Sequence, residues 1–176
     1  MRNINKIKLI ITVALTILLA CADDSEDKSA LKSYLSTEKH EQHLTGIVNC
    51  IDFLGYGYDN VVSKSQLDSM KNAADAYLAY LDGYAPKFKS TRQILSGYQE
   101  TARTYRDELD RLPARIDAYR AVCNEIDSLE AQSRESKAIV LRNQRDTIRE
   151  SITNRFLMKR TQMFLDEIAG LFERLD

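Results

Sequence analysis

The sequence of 176 residues contains no tryptophan, two prolines, six glycines, two histidines and three cysteines. Few residues therefore interrupt a helix, and no run alternates polar with β-branched side chains, which excludes an extensive sheet. Histidine and cysteine are too scarce for a rich metal centre or a disulfide framework. We expect an all-α protein made of helices and turns.

An excess of one charge is also lacking, since 25 basic residues stand against 26 acidic residues. The two signs alternate at helical spacing, as between Arg103 and Arg111, which is typical of a solvated helix face. Three of the cations lie in residues 1–20, so the chain without that segment carries a net charge near −4. This balance argues against a nucleic-acid partner and against a surface for anionic lipid.

The first twenty residues have the features of an export signal. Three cations and no acid precede an apolar run over residues 9–20, which is too short for a permanent transmembrane helix. The run ends in Leu18, Leu19, Ala20 and Cys21. This ending resembles the lipobox of bacterial lipoproteins, which has an apolar residue, a small residue before the cut, and then cysteine.

The resemblance to lipoproteins covers residues 1–21 and implies a signal peptidase that recognises Leu18, Leu19 and Ala20. It implies a diacylglycerol thioether on Cys21 and commonly an acylated amino group. Two or three acyl chains hold a protein stably on a membrane, whereas one holds it only marginally. The alternative is an ordinary cleaved secretory signal in which the cysteine has no role.

The residues after Cys21 bear on where such a lipoprotein resides. In some bacteria an aspartate at the next position favours retention in the inner membrane, but Ala22 stands here. The resemblance therefore implies the outer membrane, with the protein facing either the periplasm or the cell surface. We expect residues 21–28 to form an acidic tether, either for surface export or as a plain linker, and residues 29–176 to form the helical domain.

Apolar spacing predicts an antiparallel bundle of three or four long helices. The first covers about 29–55 and the second about 65–84, with Ser65 as its N-cap. The third begins with a capping box at Ser90–Gln93. The last covers about 137–175.

The third predicted helix carries a heptad seam from Leu95 to Ile126, with apolar residues alternately three and four apart. Such a seam is typical of coiled-coil packing. Pro113 lies inside it and removes one backbone hydrogen bond, so we expect a bend there, with a full break as the alternative. Beyond Ile126 the apolar pattern changes phase, which favours a turn near 131–137 over one helix of about sixty residues.

The candidate reactive groups are few. Cys50 and Cys123 remain once Cys21 is lipidated, and they either pair as a disulfide or stay as separate thiols. His40 and His43 are three residues apart, whereas zinc hydrolases need His-Glu-x-x-His. We therefore expect an exposed polar helix face there, with no metal, no cofactor and no catalysis.

Two groups of aromatic residues are candidates for an interaction surface, with packing inside the bundle as the alternative for both. They are Tyr56, Tyr58, Tyr80 and Tyr84 near predicted helix ends, and Phe164 and Phe172 in the apolar last helix. We expect a lipid-anchored envelope protein that binds another envelope protein, as a secretion accessory, adhesin or scaffold. The alternatives are a carrier or sensor of a small apolar ligand held between the helices, and a hydrolase that uses a histidine.

Overall fold

The computed structural model describes residues 24–52, 57 and 59–175. Within these ranges the chain folds into helices, turns and one isolated antiparallel bridge between Val61 and Thr153. The prediction of an all-α protein is confirmed. No helix in this part of the chain is long and apolar enough to span a lipid bilayer.

The described residues form six helices, numbered here in chain order. Residues 24–35 are helical and are called α1; they are followed by α2 (Glu38–Asp52), α3 (Lys64–Asp82), α4 (Lys89–Ala131), α5 (Glu135–Glu150) and α6 (Asn154–Glu173). This differs from three or four long helices because the first and the last predicted helices are each interrupted. Residues 24–28, expected in the tether, already belong to α1; a tethering role for residues 21–28 stays a prediction.

The interruption between α1 and α2 lies at Ser36 and Thr37. Ser36 Oγ donates to the carbonyl of Lys32 at 2.7 Å, and Thr37 Oγ1 donates to the carbonyl of Tyr34 at 2.9 Å. Hydroxyls that bond to helix carbonyls in this way compete with the backbone ladder. Thr37 Oγ1 also accepts from the backbone N–H of His40 at 3.3 Å, which caps the start of α2.

The interruption between α5 and α6 lies at residues 151–153. Thr153 is the N-cap of α6, and its hydroxyl accepts from the backbone N–H of Phe156. The loop before α3 docks onto this bend, since Val62 N–H donates to the Ile152 carbonyl at 3.0 Å. The bend therefore has partners in the loop, and the two helices are separate elements.

The helix starts differ from two predicted caps. The N-cap of α3 lies two residues earlier than expected, with a capping box between Ser63 and Gln66 rather than a cap at Ser65. The predicted box at Ser90–Gln93 is wrong, because α4 begins at Lys89 without a side-chain cap of its own. Another helix supplies the acceptor there, as described below.

α4 is the longest element, with 43 residues and a length of about 65 Å. It continues through Pro113 without a break. The expected turn after it is confirmed at residues 132–134, where Ser133 has the left-handed φ of 56°. Most of the heptad positions are buried, namely Leu95, Tyr98, Ala102, Tyr105, Leu109, Leu112, Ile116 and Ile126, while Tyr119 and Cys123 are partly buried.

The two halves of α4 have different neighbours. Its first half runs antiparallel to α3, since Lys71 pairs with Asp110 and Asp82 accepts from Gln99. It also runs antiparallel to α6, since Arg160 pairs with Glu108 and Leu171 lies against Gly97. Its second half packs against α5. We call residues 24–112 and 151–175 the bundle, and residues 113–150 the arm. Because Lys71 of α3 pairs with Asp110, the arm extends about 20 Å beyond the ends of α2 and α3.

Candidate functional site

A cluster of aromatic and histidine side chains fills the corner where α1, α2 and α3 meet. It consists of Tyr34, His40, Tyr77 and Tyr80, with the hydroxyl of Thr37 at its edge, and we call it the aromatic cluster. The rings of Tyr34 and Tyr80 stack at a centroid distance of 4.6 Å and an angle of 7°. Thr37 Oγ1 lies 3.1 Å from the Tyr80 hydroxyl oxygen.

His40 is the buried histidine of this cluster, with 7% of its surface exposed. Its Nε2 lies 3.1 Å from the Tyr77 hydroxyl oxygen. Burial, together with the nearby His43, lowers the pKa of His40 to about 4, so the imidazole is neutral near pH 7. The expected exposed polar face is therefore wrong for His40, because the tyrosine hydroxyl provides a partner that lets the ring be buried.

The chemistry available to the aromatic cluster is limited. Burial raises the pKa of Tyr77 far above its ordinary value, and burial also raises the pKa of Tyr34. With both phenols and the imidazole of His40 neutral, the groups act as hydrogen-bond partners. The arrangement supports a structural role at the corner of the three helices.

The aromatic contacts continue from the cluster into the interior. Tyr77 meets the ring of Phe164 edge-on at 6.0 Å, and Phe164 stacks on Tyr105 at 4.7 Å. The hydroxyl oxygen of Tyr105 lies 2.8 Å from Thr161 Oγ1, so even this polar end is satisfied inside the core. These contacts join α3, α4 and α6.

Two of the predicted interaction residues are therefore internal. Tyr80 is 6% exposed and Phe164 is 3% exposed, so neither ring is available to a partner on the surface. Both lie on apolar faces that other helices cover: Tyr80 lies near a predicted helix end and Phe164 in the apolar last helix, and neither position reveals which helix covers the ring. The expectation that they form an interaction surface is corrected accordingly.

Of the other four predicted interaction residues, two are partly exposed and two lie outside the described residues. Tyr84 is partly exposed and packs its ring 4.7 Å from that of Tyr34. Phe172 is also partly exposed, with Lys32 Nζ 5.7 Å from its ring centre. Tyr56 and Tyr58 lie outside the described residues, as do the residues of the lipobox, Leu18, Leu19, Ala20 and Cys21.

Cys50 and Cys123 are separate, partly buried thiols. Cys50 Sγ donates to the carbonyl of Gly46 at 3.2 Å, and Cys50 is near enough to Tyr105 to affect its pKa. Cys123 lies about 27 Å further along α4 than Tyr105, and a disulfide needs Cα atoms within about 7 Å. In the structure Cys50 and Cys123 are therefore two separate thiols and do not form a disulfide.

The arm carries the large apolar side chains that are most exposed among those described. Ile139 is 51% exposed and Val140 is 67% exposed, near the tip of the arm. Ala138 is the one buried residue of α5. Sequence reasoning missed this patch, although the change of apolar phase after residue 126 is the signal that marks it.

The two helices of the arm are fastened together near the tip. Val122 and Ile126 of α4 are buried there together with Ala138. Arg142 donates to Glu130 at 2.5 Å and to Glu135 at 2.7 Å, which ties the turn to both helices. The patch is thus presented on a defined helical surface.

Among residues 24–52, 57 and 59–175, no three histidine, cysteine or acidic side chains are grouped so that they could hold a metal ion. The described groups offer packing and hydrogen bonding instead of metal ligation. No protein-family model, curated protein or solved structure matches this chain.

Proposed function

We propose that the chain is a non-enzymatic lipoprotein of the bacterial cell envelope, anchored through Cys21 in the outer membrane rather than the inner membrane. In this proposal the bundle is the anchored body, and the arm binds another envelope protein. The observation that carries it is the exposure of Ile139 and Val140 at the end of a projecting two-helix arm.

The packing of the arm supports this role. α5 buries a single residue and leaves its outer side open, although it is held in place by the buried residues of α4 and by Arg142. Single exposed apolar side chains are common on protein surfaces, but neighbouring ones held on a fixed surface can serve as anchors for a protein partner. The partner that fits is a protein with an apolar groove for Ile139 and Val140, bordered by polar groups that meet the mixed charges of α5.

We further propose that the heptad seam packs as a coiled coil within the arm. Of the seam positions in the arm, Ile126 is buried and Cys123 is partly buried; Val122 beside the seam and Ala138 of α5 are also buried, and the small side chain of Ala138 lets the two helices approach closely. Close approach would keep a two-helix arm straight without a third helix. In that case the bundle would support the arm without a further helix packed along it.

The carrier alternative has less support than the binding module. An apolar ligand between the helices needs an internal space, whereas Tyr77, Tyr98 and Leu109 fill the centre of the bundle and are at most 1% exposed. Their rings and side chains occupy the volume that a ligand would take. The filled core therefore favours binding at the surface.

Photo-crosslinking in producing cells tests the arm. A benzophenone amino acid at Val140 is expected to give a discrete adduct with one other protein, and the same group at Ala118, also exposed on the arm, is the matched control. An adduct of twice the chain's own mass would show that the arm binds a second copy of this chain instead of another envelope protein. No adduct at Val140 would overturn the proposed docking site.

Metabolic labelling tests the anchor separately. Cells are given an alkyne palmitate analogue, and wild type is compared with Cys21→Ala. Label that depends on Cys21 supports lipidation, and its absence from wild type would overturn the anchor. Protease treatment of intact cells then separates surface display from a periplasmic location.

A further inference from the structure

The start of α1 fixes which end of the bundle is near the proposed anchor. Three peptide units join Cys21 to Asp24, so their Cα atoms are at most about 11 Å apart. Asp24 accepts a hydrogen bond from Ser90 Oγ in the first turn of α4. Lipid on Cys21 would therefore hold the beginning of α4 close to the bilayer.

Asp27 clamps the loop between α3 and α4 to this same end. Its carboxylate accepts from the backbone N–H of Phe88 at 3.0 Å and of Lys87 at 3.3 Å. These are the amides at the start of α4, which have no partner inside the helix. The loop and the start of α1 thus form one surface.

The charge of this surface differs from that of the whole chain. Residues 83–99 include Lys87, Lys89 and Arg92 and no acidic residue. Lys87 and Lys89 are exposed, and Phe88 between them is partly exposed. Lysines that flank an aromatic ring are a combination that suits the headgroup region of a membrane.

The acidic groups that face these lysines come from α1. Asp24 is engaged by Ser90 and by Lys28, whose Nζ lies 3.0 Å away. Asp27 is 8% exposed and is taken up by the two backbone amides. Glu26 is exposed and Asp24 is partly exposed. On the described part of this surface the cations Lys28, Lys87, Lys89 and Arg92 therefore stand against Asp24, Glu26 and Asp27, and the exposed lysines Lys87 and Lys89 lie on the loop itself.

We propose that residues 84–89, which we call the membrane-facing loop, lie on the bilayer, with Lys87 and Lys89 at the phosphates of anionic phospholipids. This inference rests on the lipidation of Cys21 proposed above. Because α4 runs from the loop to the turn at Ser133, the tip of the arm can lie up to about 65 Å from the membrane. The apolar patch is thereby presented away from the anchoring membrane.

Energy transfer on vesicles tests this orientation. Lipidated full-length protein, carrying Cys50→Ala and Cys123→Ala, is labelled with a donor dye at Ala85→Cys or at Ser133→Cys. Vesicles of phosphatidylethanolamine and phosphatidylglycerol carry an acceptor on the headgroup. Transfer from residue 85 is expected to exceed transfer from residue 133 several-fold, and equal transfer or the reverse order would overturn the proposal.

A charge reversal tests the contact of the loop itself. Lys89→Glu is compared with Lys64→Glu, because both lysines are exposed first residues of a helix, where a negative charge favours the helix. Lys89→Glu is expected to lower transfer from residue 85 by about twofold on phosphatidylglycerol vesicles, and Lys64→Glu to leave it unchanged. An equal effect of both variants would argue against headgroup contact by Lys89.

The labelling experiment with the palmitate analogue separates the two possible failures. Without Cys21-dependent label, the anchor and this orientation fall together. With the label present, a failed transfer experiment overturns the orientation alone.

Discussion

Tyr34 and Tyr80 exchange two hydrogen bonds, in which each hydroxyl donates to the backbone carbonyl of the other residue at 2.6 Å. Tyr34 lies in the last turn of α1 and Tyr80 in the last turn of α3, where carbonyls lack the usual α-helical partner four residues on. The Tyr34 carbonyl also accepts from Thr37, and the Tyr80 carbonyl also accepts from the N–H of Gly83, so each hydroxyl is an additional donor. Each side chain therefore satisfies the end of the other's helix. The stacked rings add apolar contact to this exchange.

Removing one hydroxyl from this exchange is expected to destabilise the bundle. Tyr80→Phe keeps the stacked ring but leaves the Tyr34 carbonyl with one donor fewer, so we expect a loss of about 1 kcal/mol in the free energy of unfolding. Tyr84→Phe is the matched control, since Tyr84 contributes a ring contact to the same corner. Urea unfolding of the two variants makes the comparison, and equal losses would contradict the role of the exchange.

His40 is expected to make the protein less stable in mild acid. Its pKa is about 4 in the folded protein against about 6.5 in the unfolded chain, so the unfolded chain binds the proton more tightly. The stabilisation of the folded protein by the neutral His40 imidazole is complete above pH 6.5, declines as the pH falls, and is lost by pH 4. Between pH 7.5 and pH 5 we expect a loss of about 2 kcal/mol.

The control for His40 is His40→Gln, which does not titrate and retains a hydrogen-bonding group for Tyr77. Carboxylates titrate in both proteins, so the difference between the two unfolding profiles isolates the imidazole. Urea unfolding at a series of pH values measures it. Parallel profiles from pH 7.5 to pH 5 would show that the proton on His40 does not affect stability.

Asp27 is expected to stabilise the start of α4 from outside that helix. Burial raises the pKa of Asp27, but hydrogen bonds from the amides of Phe88 and Lys87 outweigh it, and the net effect is a lowered pKa. Asp27→Ala should reduce stability by about 1 to 2 kcal/mol near pH 7. Thermal unfolding measures the loss, with Glu26→Ala, an exposed neighbour, as the control.

The pH dependence of the Asp27 contribution follows from the same direction of shift. A carboxylate with a lowered folded pKa stabilises above its unfolded pKa, and this stabilisation is lost as the pH falls through the folded value. The gap between wild type and Asp27→Ala should therefore narrow below pH 4. A constant gap would mean that packing, rather than the charged carboxylate, is responsible.

The arm is expected to open more readily than the bundle. α5 buries one residue, whereas α3 buries six, so the amides of α5 should exchange hydrogen faster than those of α3. Ile126→Ala removes apolar contact within the arm and should speed exchange in α5 further, with α3 unchanged. Ile139→Ala, on the exposed side of the arm, should leave the exchange rates of both helices unchanged. If Ile126→Ala speeds exchange equally in α3 and α5, the arm does not open separately from the bundle.

Periodicity predicted the helical class, the turn after α4 and most of the buried positions between Leu95 and Ile126. These features depend on apolar spacing within one helix, which a sequence displays directly. The interruptions at Thr37 and Thr153 were not predicted, because apolar residues keep nearly the same spacing across them. Their cause is local competition by hydroxyl groups, together with a docked loop around Val62.

The burial of His40 and Asp27 depends on partners far away in the chain. A polar residue on a helix predicts exposure unless its partner is known, and the partners here are the Tyr77 hydroxyl and the amides of Lys87 and Phe88. The exposure of the patch at Ile139 has the same origin. Which apolar face remains uncovered depends on which helices extend far enough to reach it.

The continuity of α4 through Pro113 joins the bundle and the arm by a single helix. A sideways force on the tip is carried along α4 to the part that packs between α3 and α6. The load therefore falls on Leu109 and Leu112, at the point where α4 leaves the bundle and where Pro113 has already removed one backbone hydrogen bond. Bending of α4 at Pro113 would move the tip of the arm, and a partner bound there, by several ångströms while the packed core of the bundle stays in place.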